Sequence, residues 1–154
     1  MDLYKISLVI LANLIPTLEQ LGGIPLGISL GLNPLLTLLV CLCVNSLLFF
    51  PVYFGLEFFY EKFFSKIKLF RKYLKKVRRE GKPYVEKYGV LGITLYISLP
   101  SPFTGTYTGS MLAWLLDLDW KKGFIAIFLG SLIGNLIILG STLGIFEAIK
   151  LLIR

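Results

Sequence analysis

Apolar positions run in blocks too long for strands, and twice they run long enough to cross a bilayer. Leu35 to Phe59 and Trp120 to about Phe146 each exceed the ~20 apolar residues a spanning helix needs, so they predict two crossings. Shorter pieces precede each of them. Leu3 to Leu18 is apolar but is stopped by Pro16, Glu19, Gly22 and Gly23, so it is expected to enter the membrane without crossing. Ile24 to Leu32, with Pro25 at its helix start, covers about half of the ~30 Å hydrocarbon core and is expected to return to its starting side. Asn33-Pro34 makes the turn into the first span, which Pro51 is expected to kink. The second half repeats the plan. Tyr88 to Leu99 is a short apolar segment, Pro100-Ser101-Pro102 forms a tip, and a short helix reaches about Leu116. Asp117 to Lys122 turns the chain into the second span.

The stretches Leu18 to Gly31 (LEQLGGIPLGISLG) and Leu99 to Gly109 (LPSPFTGTYTG) both carry a proline followed by Gly-x-x-x-Gly. Irregular backbone at membrane depth is tolerated only against protein or a water-filled cavity, so both read as re-entrant hairpin tips. A hairpin leaves the chain on its starting side and a span moves it across, which inverts the second half. The predicted fold is an all-α integral membrane protein, a single domain of first repeat (1–59), basic amphipathic linker (60–87) and inverted second repeat (88–154). Four full crossings is the simpler alternative. A cleaved signal peptide over residues 1–22 is not expected, because no small-x-small site follows the apolar run.

Beyond Glu57, Phe59, Phe63, Ile67, Phe70, Leu74 and Val77 recur at spacings of four and three between lysines and arginines. This amphipathic helix is expected to lie along headgroups or extend from the first span, ending near Gly81-Lys82-Pro83. Of the 16 basic residues, all but Lys5, Lys150 and Arg154 fall between Lys62 and Lys122. The positive-inside rule then makes the linker cytoplasmic and both termini external, in the cell membrane. Anionic lipid is its expected partner, and a nucleic-acid surface is not expected, because the aromatics keep a helical stripe instead of forming a stacking platform.

Composition agrees: 56% of the 154 residues are hydrophobic, more than a soluble domain of this size buries. Histidine is absent and Cys41 and Cys43 sit two apart on a helix, facing different sides, so no metal site, disulfide, cofactor or hydrolytic centre is expected. Glu19 is the only acidic residue in either hairpin. Placed at the C-terminal end of the first half-helix, it reads as a proton or cation site, or alternatively as a cap on the Gly22 and Gly23 amides. The half-helix starts at the two tips, Ile24-Pro25 and Ser101-Pro102, suit an anionic group. Asn45 and Asn135 lie near the centres of the two spans and read as substrate contacts or interhelical glue. Ser98, Ser101, Thr104, Thr106 and Thr108 either line the route or bond the preceding turn, and Pro100, Pro102 and Gly105 shape that tip. Gly22, Gly23, Gly27, Gly31, Gly109, Gly130 and Gly134, with Gly140 and Gly144, read as hairpin and packing positions, and Tyr53, Tyr60, Tyr84, Tyr88, Trp114 and Trp120 as interfacial.

The Glu19-x5-Pro25-x-Gly27 start, the Leu99-Pro100-x-Pro102-x-x-Gly105-x-x-x-Gly109 tip and the Gly130-x-x-x-Gly134-Asn135 span resemble the small multidrug export protein family over roughly residues 15 to 145. The chain is more weakly similar to DedA and VTT-type membrane proteins. The resemblance implies a transporter or lipid scramblase with two facing re-entrant hairpins. Ile28, Ile97 and Phe103 stand where the DedA pattern has a second acidic residue and arginines, which leaves Glu19 to carry any charge-based mechanism.

The expected activity is non-enzymatic. It is secondary transport, coupled to protons or cations, of a small anionic, amphiphilic or lipid-linked substrate through a midplane site between the hairpins. The alternatives are passive lipid scrambling and a scaffold without transport. Two spans enclose little volume, so a homodimer or larger assembly is expected.

Overall fold

The computed structural model describes residues 2–60, 62–63, 66–101 and 104–153, and among them all regular structure is helical. The seven helices are α1 (Asp2–Leu14), α2 (Glu19–Ser29), α3 (Pro34–Phe59), α4 (Lys68–Tyr88), α5 (Val90–Ser98), α6 (Thr106–Leu115) and α7 (Trp120–Ile153). Only α3 and α7 are long and apolar enough to cross a membrane. At ~1.5 Å per residue the other members of each half reach no more than about 20 Å.

Local chemistry sets the boundaries. Asn33 caps α3 by accepting from Leu35 N (2.9 Å) and Leu36 N (3.3 Å), with Pro34 at the first helical position, where its missing N–H costs nothing. Gly31, at φ 75°, ends α2: Leu32 N donates to Gly27 O and Gly31 N to Ile28 O, a glycine-dependent C-terminal motif. Two boundaries depart from the sequence expectation. α2 begins at Glu19, with Pro25 inside it, because the protein around it tolerates one lost backbone donor. α4 continues through Gly81-Lys82-Pro83 to Tyr88, and Gly89, at φ 59°, breaks it from α5.

The helix directions follow from paired residues. Phe50 stacks on Phe124 (5.3 Å) and Phe54 meets Trp120 at a tilt (6.3 Å), so α3 and α7 run antiparallel. Gln20 meets Asn45 and a side chain at Gly27 would meet Thr37, so α2 runs back along α3. Thr106 meets Ser131 and a side chain at Gly109 would meet Ile127, so α6 runs back along α7 in the same way. The short helices also cross over: α2 packs on α7, and α6 packs on α3.

Two apolar clusters form the core. One joins Val9, Ile24, Leu32, Cys41 and Ile138; the other joins Phe49, Ile93, Ile97, Leu112, Ala113 and Ile127 with their neighbours. Along α3 the order is Cys41, Asn45, Phe49, and along α7 it is Ile127, Ser131, Asn135, Ile138. A polar layer therefore lies between the clusters. The stripe Leu74, Val77 and Gly81 of α4 is buried against α5 and α6, so the apolar face expected on headgroups packs on protein over that stretch.

Candidate functional site

Glu19 is placed by a strained turn. Thr17 (φ 76°) and Glu19 (φ 35°) both lie in the left-handed region, which is costly for residues other than glycine and above all for a β-branched threonine. The turn brings the Glu19 carboxylate across to the second half, where Oε2 accepts from Thr106 N (2.6 Å) and Oε1 from Tyr107 N (3.4 Å). Tyr107 reciprocates by donating its hydroxyl to Leu14 O (2.7 Å). The two tips thus clasp each other. Glu19 is 5% exposed, and among the described residues no cation pairs with it.

This arrangement reverses one expectation. Glu19 opens α2 instead of closing α1, and it also sits on the first amides of α6, so two positive helix ends face it where the negative end of α1 was expected. The carboxylate occupies the position at which a helix start would hold an anion. Gly22 and Gly23 do not take it; Gly22 lies over Leu18 and Gly23 against Asn13 and Cys41. The half-helix starts at the tips are Glu19 and Thr106, not Ile24-Pro25 and Ser101-Pro102.

The polar layer continues from this clasp. Asn45 Nδ2 donates to Gln20 Oε1 (3.2 Å), a side chain at Gly134 would press on Gln20, and Thr106 Oγ1 lies 3.4 Å from Ser131 Oγ. Asn45, Asn135 and Asn13 are fully buried; Asn13 lies beside the Cys41 thiol, whereas Asn45 Oδ1 and both amide atoms of Asn135 lack a partner among the described residues. Such groups are costly to bury without a hydrogen-bond partner. The space at the clasp is small: a crevice of about 10 Å³ lined by Thr17 to Leu21, Ser101, Thr104 and Gly105, room for one water-sized group.

Several sequence candidates are engaged locally. Ser98 donates to Leu95 O, Thr104 to Leu99 O, and Thr108 both accepts from Gly105 N and donates to Gly105 O. Gly105 is essential in another way, since a methyl there would overlap the Glu19 carboxylate. Pro100 and Ser101 border the tip, and Pro102 lies outside the described residues. Gly27, Gly109, Gly130 and Gly134 allow close packing, whereas Gly31 serves the helix end, and Gly140 and Gly144 meet nothing. Cys41 is buried and Cys43 exposed.

Gln20 and Ser131 belong to the layer, Asn13 lies beside Cys41 next to it, and none of the three was a sequence candidate. Asn13, like Asn45, is an amide inside an apolar run.

The family model described as "Putative small multi-drug export protein" matches residues 19–137, from the clasp through both spans' polar layer. No curated protein and no solved structure matches the chain.

Proposed function

The chain belongs to the small multi-drug export protein family and is a membrane protein, and on that premise we propose that it is a proton-coupled secondary carrier working through the clasp between its two hairpin tips. The observation that carries this reading is a buried carboxylate held by the Thr106 and Tyr107 amides with no cation beside it among the described residues. Burial opposes its charge and the amides support it, so one proton decides whether the clasp holds. Protonation removes the charge-assisted bonds, the tips part, and the freed amides take an anionic group of the substrate. Asn45 and Asn135 then offer unpaired amide groups to the rest of the molecule. A cation-coupled version loses its support, because two positive helix ends face Glu19.

The helix directions support an inverted repeat in which α1–α2 and α5–α6 are re-entrant. The second helix of each pair, α2 or α6, runs back along its own span, the spans oppose each other, and the tips meet level with Asn45, near the middle of α3. Alternating access is then one repeat rocking against the other. The linker is cytoplasmic and the termini external in this arrangement. Exposed Gly140 and Gly144 on α7 offer a close-packing face to a second copy, which fits a homodimer.

Pyranine-loaded proteoliposomes test the coupling. A panel of amphiphilic anions added to wild-type protein is expected to drive proton movement, and Glu19→Gln to abolish it; proton movement that survives in Glu19→Gln sinks the proposal. Topology is tested separately by labelling Ser29→Cys and Lys122→Cys from one side of sealed vesicles, in a background without Cys41 and Cys43. Opposite accessibility is expected. Both sites on one side would mean that the α5–α6 pair crosses completely.

A further inference from the structure

A second concavity lies away from the clasp. A groove of about 900 Å³ runs along the first half of α4, lined on its apolar side by Ile67, Leu69, Phe70 and Tyr73. Leu69 is 79% exposed and Tyr73, one turn on, remains partly open, although both stand on the helix that follows the first span. Lys76, ion-paired with Glu80, also lines the groove, and so do Lys72, Lys75 and Arg79. They recur at spacings of three and four, on the face opposite the packed stripe Leu74, Val77 and Gly81. Among the described residues none of these three cations has a carboxylate partner, whereas Lys76 and Lys82 are paired with Glu80 and Glu86.

We infer that this groove holds one acidic phospholipid, its acyl chain along Leu69 and Tyr73 and its phosphate among Lys72, Lys75 and Arg79. Charge complementarity selects the head, and three unpaired cations side by side favour an anion over a zwitterion. The apolar strip beside them selects an amphiphile over a soluble anion. α4 cannot lay its main apolar stripe on the bilayer, because α5 and α6 bury it, so the lipid meets the helix from its side. The inference stands apart from proton coupling and is tested without transport.

Native mass spectrometry of the full chain, released from detergent with equimolar phosphatidylglycerol and phosphatidylcholine, is expected to retain one phosphatidylglycerol in preference. The triple variant Lys72→Gln, Lys75→Gln, Arg79→Gln is expected to lower that preference at least about tenfold. The triple Lys87→Gln, Lys121→Gln, Lys122→Gln is expected to keep it. Equal retention of the two lipids, or equal loss in both triples, overturns the inference. A positional check uses Tyr73→Trp in a Trp114→Phe, Trp120→Phe background. Brominated phosphatidylglycerol is expected to quench this tryptophan more strongly than brominated phosphatidylcholine, and indistinguishable quenching also overturns it.

Discussion

The two hairpins have the same outline and opposite chemistry. The first brings side chains: a carboxylate from Glu19 and an amide from Gln20, on a turn strained at Thr17. The second brings backbone: the Thr106 and Tyr107 amides, with Gly105 cleared of any side chain that would block the approach. The spans share the asymmetry, because Asn45 has Gln20 as a partner and Asn135 has none. One half therefore supplies a charge that can be switched and the other a receptor that cannot, so a single protonation has a defined place to act.

Substitutions can break that division of labour. The largest effect is expected from Glu19→Gln, which removes the switch and should lower proton-linked flux in proteoliposomes by at least about 100-fold. Gly105→Ala comes next. Its extended backbone accepts alanine, but the methyl evicts the carboxylate, so flux should lose its pH dependence and stability should fall by about 1–3 kcal/mol in a detergent unfolding titration. Asn45→Leu and Asn135→Leu should then separate the spans. The first strands Gln20 and costs about 1–2 kcal/mol, whereas the second removes an unpaired amide and should be neutral or stabilising while still impairing substrate-driven flux. If both prove equally destabilising, the asymmetry between the spans is not real. Tyr107→Phe is expected to have the smallest effect, about 0.6 kcal/mol, from the lost bond to Leu14 O.

Much of this was legible in the sequence because helix length and capping are local. Asn33-Pro34, the two long apolar runs and the polar turn before Trp120 each specify their own element. Pro25 misled because proline has two readings, helix start and tolerated interior residue, and only the surrounding helices decide between them. Glu19 was recognisable as important by its isolation, yet its partners lie 87 and 88 residues away and are backbone amides, which no side-chain pattern reveals. The fate of the amphipathic linker was hidden for a similar reason. A stripe of Leu74, Val77 and Gly81 looks the same whether lipid or α5 and α6 will cover it. Gly81, where any side chain would strike Leu112, was the clue that protein does.

The ring contacts that bind α3 to α7 gather at one end, Phe49 and Phe50 on Phe124 and Phe54 on Trp120. Interlocked aromatic rings resist shear, while away from that end Cys41 of α3 and Ile138 of α7 share an apolar cluster with Ile24 of α2 that contains no ring. A pair of rods stiffened at one end behaves as a lever with its fulcrum there. A small angular play at the aromatic end becomes a few ångströms of travel at the far end, ~25 Å along the rods.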